Sequence, residues 1–144
     1  MISKWVNCVK VVIIDGQGGK MGQMIIERIK QAKLSCELTA IGTNSIATAA
    51  MLKAGAGAGA TGENPAIVAS RDADVIIGPI GIIAADSLLG EITPAMAVAV
   101  GQSRAKKLLL PVNLCNNIIV GTGSLSMAKL IAETVDELSK MEQQ

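Results

Sequence analysis

Residues Val9–Gly22 read VKVVIIDGQGGKMG, an apolar β-branched run that leads directly into a glycine-rich turn. β-Branched residues favour strands, and glycine allows the backbone angles that a tight turn needs. After the turn, apolar residues recur at helical spacing over Gln23–Lys33. The order strand, glycine turn, helix predicts the first unit of a βαβ motif.

The alternation of strand and helix patterns continues along the chain. Asp74–Gly78 is an apolar run typical of a strand that is covered on both faces of a parallel sheet. Side-chain caps are available at Thr43–Asn44–Ser45 and, with an N1 proline, at Thr93–Pro94. We therefore predict further strands at 37–41 and 74–78 and helices at 46–53 and 95–101. This order predicts an α/β fold, a three-layer α/β/α Rossmann-like sandwich with a mostly parallel sheet, as a single domain over residues 1–144.

The remaining segments carry weaker patterns. Residues 54–62 are rich in Gly and Ala and predict a loop with at most a very short strand, Ile67–Val68 a minor strand, and 80–89 a turn of helix. Lys107–Val112 and Asn117–Val120 are two strand candidates joined by only four residues, which is too short for a parallel crossover. We expect them to form an antiparallel hairpin at a sheet edge, followed by an amphipathic helix that Ser124 caps.

Composition excludes whole classes of chemistry. The 144 residues are 50% hydrophobic and contain no His, Tyr or Phe. Without His, neither a Ser-His nor a Cys-His nucleophile can form, and no His ligand is available to a metal. The three cysteines lack a C-x-x-C spacing, so we expect no metal site and read them as reduced, mostly buried thiols.

Charge and hydropathy limit the classes of binding partner that we expect. A net charge of +1 with a single aromatic residue offers neither a basic patch nor stacking platforms for nucleic acid. The apolar run Val75–Ala85 is about half of the ~20 residues that a membrane span needs. No secretory signal is visible at Met1–Lys10, so we expect a cytoplasmic protein that contacts neither nucleic acid nor membrane.

The glycine turn is the strongest functional feature. Glycines between a strand and a helix let a phosphate approach the amides at the helix N-terminus, where the helix dipole attracts an anion. The alternative is that these glycines only let the first helix pack closely on its strand. In folds of this type, ligands bind beyond the carboxyl ends of the strands, which is where the glycine turn is expected to lie. The predicted cofactor-binding residues are Gly16, Gln17, Gly18, Gly19, Lys20, Met21, Gly22, Thr43, Asn44, Gly78 and Pro79.

The string Gly-Gly-Lys-Met-Gly at 18–22 resembles the cofactor fingerprint of dihydrodipicolinate reductase, G-x-G-G-[RK]-M-G, over about Val11–Ile29. The resemblance implies NAD(P)H binding through the backbone of Gly16–Gly22. The chain lacks the His-containing catalytic stretch of that family, so the resemblance extends to the cofactor and not to the reaction. Over its whole length, through motifs such as IDGQGG, TNSIAT, AGATGEN and GPIGI, the sequence is similar to an uncharacterised family of short bacterial Rossmann-like proteins of unknown function.

The end of the second strand departs from the usual NAD site. An Asp or Glu at that point normally holds the ribose hydroxyls, whereas this chain reads Gly42-Thr43-Asn44. Thr43 and Asn44 are able to hydrogen-bond a hydroxyl or a 2′-phosphate, but no Arg stands beside them. The ligand therefore stays open between NAD(P) and another nucleotide or sugar phosphate.

Six other residues, at four places in the sequence, are candidates for function that also have structural interpretations. Asp15 ends the first strand, where capping of the turn is favoured over catalysis. Glu63 with Asn64 is interpreted as a solvated loop in preference to a ligand contact, and Asp86 with Ser87 as the cap of a short helix at the same edge in preference to a ligand contact. Cys115 is the thiol in a polar loop, with no His to activate it.

Three functions are compatible with these features. The first is a nucleotide- or dinucleotide-binding module with a regulatory output. The second is a small NAD(P)H-dependent oxidoreductase with a site shared across a homodimer, in which Lys20, Asp86 or Glu63 would act as acid or base. The third is a structural or assembly protein that binds no ligand. For the leading function we expect a small phosphate-bearing ligand and a homo-oligomer, and the sequence identifies no catalytic residue.

Overall fold

Strands and helices alternate in order along the described part of the chain. The computed structural model describes residues 8–112, 114 and 116–142. The strands are β1 (Val9–Asp15), β2 (Cys36–Gly42), β3 (Ala58–Thr61), β4 (Val75–Pro79) and β5 (Lys106–Leu110). The α-helices are α1 (Lys20–Gln31), α2 (Ser45–Ala54), α3 (Glu63–Asp72), α4 (Pro94–Gln102) and α5 (Met127–Glu142), and a 3-10 helix covers Ile80–Ile83.

The sheet is parallel and has the strand order β3-β2-β1-β4-β5. β1 pairs in register with β2 along its whole length, from Val9 opposite Cys36 to Asp15 opposite Gly42, and with β4 on its other side. The chain moves outward from β1 to β3 and then crosses to β4, so the direction of winding reverses at β1. The α/β Rossmann-like fold is confirmed, with its switch point at the carboxyl end of β1.

Two apolar cores lie on the two faces of the sheet. Successive side chains of a strand point to opposite faces, and in β1 both sets are buried. Val11 and Ile13 pack in one core with side chains of α1, α2 and α5, while Val12 and Ile14 pack in the other with side chains of α3 and α4. The predicted three layers are therefore present, and β1 is covered on both faces.

Polar side chains cap the N-termini of several helices. Asn44 accepts a hydrogen bond from the N–H of Ala47 at 2.9 Å, and Thr93 accepts one from Met96 at 3.2 Å. α5 begins later than predicted, because Ser126 and not Ser124 accepts the bond from the N–H of Lys129. None of the described helices is long and apolar enough to cross a membrane.

The predicted antiparallel hairpin is wrong. β5 pairs in parallel with β4 and ends at Leu110, and Asn117–Val120 forms no strand. Ile118 and Val120 are 87% and 93% exposed, so these two side chains contribute little to the apolar cores. Pro111 directly follows β5 and lacks the N–H that a further ladder bond would require.

Two smaller predictions also fail in the segment after β3. Ile67 and Val68 belong to α3 and not to a minor strand, because Ala66 and Ser70 supply a buried helical face at a spacing of four residues. Glu63 and Asn64 start the same helix and do not form a loop. The very short strand that the glycine-rich run allowed is present as β3.

Candidate functional site

The glycine turn joins β1 to α1 at the switch point of the sheet. Its backbone folds back on itself, with the N–H of Gly19 donating to the carbonyl of Gly16 at 2.9 Å. Gln17 and Gly19 both adopt the left-handed region, with φ of 51° and 71°. This geometry leads the chain from the end of β1 directly into the first turn of α1.

The four glycines of the turn have different roles. A Cβ on Gly19 would lie 2.7 Å from the Cα of Ala47, so glycine is required where the turn meets α2. Gly16 and Gly22 are crowded by side chains in the same way, with contacts of 2.5 Å. Gly18 is exposed, and a Cβ there would meet nothing within 4 Å. Close packing therefore explains three of the glycines and leaves Gly18 without a structural reason.

Asp15 caps the turn from inside. Its carboxylate is 5% exposed and accepts hydrogen bonds from the N–H groups of Gly16 and Gly22, each at 2.8 Å. Burial raises the pKa of Asp15 above its usual value, and the two backbone bonds oppose that rise only in part. The predicted capping role of Asp15 is confirmed, and both of its oxygens are occupied by the protein.

The turn and the start of α1 contain backbone amides for which no described residue is an acceptor. No described residue accepts a hydrogen bond from the N–H of Gly18, Lys20 or Met21. These groups lie at the N-terminus of the twelve-residue helix α1, where the helix dipole favours an anion. They line a cavity of about 180 Å³. Its walls are Asp15, Gly16, Gln17, Gly18, Gly19, Lys20, Met21, Met24, Val112 and Met127.

Asn44 has a structural role beside the turn. Its carbonyl oxygen caps α2, and its amide donates to the carbonyl of Gln17 at 2.9 Å and to Glu91 Oε1 at 2.7 Å. Both amide hydrogens are thus engaged by the protein. Thr43, the other predicted contact, donates its hydroxyl to the same Glu91 oxygen at 2.5 Å.

Glu91 is a residue of this site that the sequence did not reveal. Its Oε1 atom accepts from the backbone N–H of Gln17 at 3.0 Å as well as from Thr43 and Asn44. Burial works to raise the pKa of Glu91, but these three hydrogen bonds outweigh it, so the pKa lies below its usual value. Glu91 is 48 residues from Thr43 in sequence, and no local pattern links the two.

The segment 84–92 holds Glu91 against the turn. Leu88 is 2% exposed and anchors the segment in the core, and the N–H of Asp86 donates to the carbonyl of Ile92 at 2.7 Å. Asp86, Leu88, Leu89 and Gly90 all have positive φ, so the segment is tightly coiled. Ser87, predicted as a cap, instead donates its hydroxyl to the carbonyl of Gly81.

Replacing Glu91 tests this cluster. We expect Glu91→Ala to lower the free energy of unfolding by about 1–3 kcal/mol, because three donors lose their shared acceptor. The folded pKa lies below the reference value of 4.5, so the loss should be fully present above that pH and shrink as the pH falls through the folded pKa. Chemical denaturation across pH measures it.

The control for this variant is Glu37→Ala, which removes an exposed Glu at the other end of β2. It should change stability by no more than about 0.5 kcal/mol. Equal losses in the two variants, or a loss that grows toward acid pH, would contradict the role assigned to Glu91.

Gly78 and Pro79 lie inside β4 and are buried. A Cβ on Gly78 would lie 2.5 Å from the carbonyl oxygen of Ile14, so glycine is required there for close approach of two strands. Pro79 pairs with Leu110 of β5 in the strand register. Both residues therefore have a structural role in the sheet. The chain that follows them leads to Glu91.

The remaining chemical candidates are dispersed. Lys20 is exposed at the start of α1, Glu63 is exposed at the start of α3, and Asp86 is exposed after the 3-10 helix. No hydrogen bond or ion pair joins any two of them in the described part of the chain. They do not form an acid–base constellation in this structure.

The cysteines differ from one another. Cys115 lies outside the described residues. Cys8 is exposed, so the prediction of burial is wrong for it, whereas Cys36 is partly buried and burial raises the pKa of its thiol to about 11. Within residues 8–112, 114 and 116–142, no three Asp, Glu or Cys side chains are grouped so that they could hold a metal ion.

Comparison with known proteins establishes the family. The model called "Domain of unknown function (DUF3842)" matches residues 10–143. The chain belongs to this family. No curated protein matches the sequence. Among solved structures, a nucleoside-diphosphate-sugar epimerase from Pseudomonas aeruginosa is similar at 17% identity with a TM-score of 0.46. That match covers 93% of this chain and 48% of the epimerase, so the chain spans about half the length of that protein.

Proposed function

We propose that this domain binds a nucleotide or dinucleotide and holds its phosphates on the outer side of the glycine turn, Gly16–Gly22. The observation that carries the proposal is a set of three backbone N–H groups, those of Gly18, Lys20 and Met21. No described residue accepts a hydrogen bond from any of them. Unpaired amides at a helix N-terminus form a ready anion site. Gly18 leaves their approach open because it has no side chain and no neighbour within 4 Å of a Cβ position.

The amides and Lys20 at the start of α1 favour an anionic ligand there, while the Glu91 carboxylate lies beside Gln17. Lys20 is exposed at the first position of α1, close in sequence to the open amides. The buried carboxylate of Asp15 is already satisfied by the N–H groups of Gly16 and Gly22. The phosphate would therefore meet amide dipoles and an ammonium group on the outer side of the turn, while Asp15 stabilises its inner side.

The size of the cavities favours a ligand that extends beyond its phosphates. The cavity on the turn, about 180 Å³, is smaller than the ~300–1,000 Å³ of a site for a whole drug-sized molecule. A second cavity of about 240 Å³ follows the neighbouring strand β4 and is lined largely by apolar side chains, including Ile80, Ile83 and Ile118. Parallel strands end at one edge, so both cavities lie at the carboxyl edge of the sheet, which supports a ligand as long as a dinucleotide.

Thermal unfolding against a ligand panel tests the proposal. The panel holds ADP, NAD⁺, NADP⁺ and pyrophosphate, with adenosine as the control that lacks phosphate. At a hundred times Kd, a bound ligand should add about 2.7 kcal/mol and raise the midpoint by roughly 5–10 °C. Adenosine should produce no such rise at the same concentration. An equal rise with adenosine, or none with any phosphate compound, would overturn the proposal.

A further inference from the structure

We propose that Glu91 supplies the carboxylate that binds the ribose hydroxyls of the nucleotide and selects a ligand whose adenosine ribose carries no 2′-phosphate. This inference rests on the proposed function and adds a specificity residue to the same site. Glu91 reaches the end of β2 from the segment between β4 and α4, a part of the chain far from the glycine turn in sequence.

A ribose-binding carboxylate is expected near the end of β2. In dinucleotide-binding folds, an acidic residue at this point accepts hydrogen bonds from the ribose hydroxyls. β2 ends at Gly42 and is followed by Thr43 and Asn44, neither of which is acidic. Glu91 Oε1 lies 2.5 Å from Thr43 Oγ1 and 2.7 Å from Asn44 Nδ2. The fold thus brings a carboxylate to the place where the local sequence lacks one.

The two oxygens of Glu91 have different surroundings. Oε1 is fixed by Gln17, Thr43 and Asn44, whereas no described residue donates a hydrogen bond to Oε2. Oε2 is also not fully buried, because no unpaired side-chain oxygen in the described part of the chain is fully buried. One oxygen therefore orients the carboxylate, and the other is available to accept hydroxyl protons of a ligand.

Neighbouring acceptors are less suited to this task. Both oxygens of Asp15 accept backbone bonds and the residue is 5% exposed. Thr43 uses its hydroxyl proton on Glu91, and Asn44 uses its amide on Gln17 and Glu91. The ionised carboxylate of Glu91 remains the strongest acceptor beside the turn, since hydrogen bonds to charged acceptors exceed neutral ones.

The same charge makes the site selective. A 2′-phosphate would stand next to the Glu91 carboxylate, and like charges in close contact repel. Among the described residues, an ion pair forms between Lys140 and Glu137, and no Lys or Arg is paired with Glu91. A ribose with free hydroxyls donates to Oε2, whereas a 2′-phosphorylated ribose meets repulsion.

The experiment measures Kd for NAD⁺ and NADP⁺ by calorimetric titration of the wild type, Glu91→Gln and Glu37→Gln. Glu37 is an exposed residue at the opposite end of β2, so its variant makes the same change in charge away from the site. The wild type and Glu37→Gln should bind NAD⁺ at least about tenfold more tightly than NADP⁺. Glu91→Gln should reduce that ratio to about threefold or less, by weakening NAD⁺ and relieving NADP⁺.

A second comparison needs only the wild type and holds even where Glu91→Gln folds poorly. ADP should bind about tenfold more tightly than 2′-deoxy-ADP, because the deoxy compound lacks a hydroxyl for Oε2. Equal affinity for both pairs of ligands, or selectivity retained in a folded Glu91→Gln, overturns the inference and leaves phosphate binding intact.

The remaining outcomes are also decisive. Tighter binding of both dinucleotides by Glu91→Gln would mean that Glu91 blocks the site by holding the N–H of Gln17, and this too overturns the inference. If the wild type binds none of the four ligands, the proposed function fails and the inference fails with it.

Discussion

Gly18→Asp is expected to abolish nucleotide binding while the ligand-free protein keeps its stability. Gly18 is exposed, its φ is not in the left-handed region, and a Cβ there meets nothing within 4 Å. The new side chain therefore disturbs no packing, and the free energy of unfolding should change by no more than about 0.5 kcal/mol. Its carboxylate would stand over the open amides of Lys20 and Met21 and repel a phosphate. We expect Kd for ADP to rise at least about 100-fold, because the loss of a charge-assisted contact and the added repulsion act together.

The control for Gly18→Asp is Gly101→Asp on α4. Gly101 is also exposed, has open space at the Cβ position and lacks a positive φ, but it lies in the last turn of a helix away from the glycine turn. Calorimetric titration with ADP should give the wild-type Kd for Gly101→Asp. Unchanged binding by Gly18→Asp, or equal loss in both variants, would show that the outer side of the turn does not bind phosphate.

Gly19→Ala, one residue further along, is expected to have the opposite effect and to destabilise the fold. Gly19 has φ of 71°, which costs a residue with a Cβ about 1–2 kcal/mol. The added methyl would also lie 2.7 Å from the Cα and 2.9 Å from the carbonyl oxygen of Ala47, which are backbone atoms that cannot move aside without shifting α2. We expect a total loss of roughly 2–4 kcal/mol, measured by chemical denaturation.

Gly18→Ala is the matched control for Gly19→Ala. It adds the same methyl to the same turn, at a position with no contact within 4 Å, and should change stability by less than about 0.5 kcal/mol. If both alanine variants are equally stable, the turn does not pack on α2 as described. If both are equally destabilised, Gly18 has a structural role that its open surroundings do not reveal.

The sequence predicted well where neighbours along the chain determine the structure. The run Val9–Asp15, the turn and α1 form one local unit, and each part carries a strong propensity of its own. The caps at Asn44 and Thr93 were also visible because a cap acts on amides only a few residues away. The α/β fold followed from the repetition of such units.

Predictions of secondary structure from the sequence were wrong where tertiary contacts override the local preference of the chain. Ile67 and Val68 have β-branched side chains, yet α3 forms because its buried face packs under the sheet. Asn117–Val120 has the composition of a strand, but β5 ends before Pro111 and the segment finds no partner strand. For α3 the deciding energy lies in packing, which a short window of sequence does not contain.

The candidate site likewise contains one part that local sequence predicts and one part that depends on tertiary contacts. The glycine turn was identified from its spacing, because a strand–turn–helix unit is local. Glu91 was missed because its contact with Thr43 joins segments 48 residues apart. The structure also separates the glycines by role, since crowding explains Gly19 and Gly22 but not Gly18. That separation depends on where α2 lies, which the pattern of glycines does not encode.

Titration of the isotope-labelled domain with ADP, followed by NMR at the backbone amides of the turn, tests the central claim most directly. Phosphate binding predicts saturable shifts at the N–H groups of Gly18, Lys20 and Met21, which have no acceptor among the described residues. The amide of Gly22, held by Asp15 at 2.8 Å, should shift much less. Saturable shifts elsewhere with the turn unchanged, or no shifts at millimolar ADP and NAD⁺, would contradict the account.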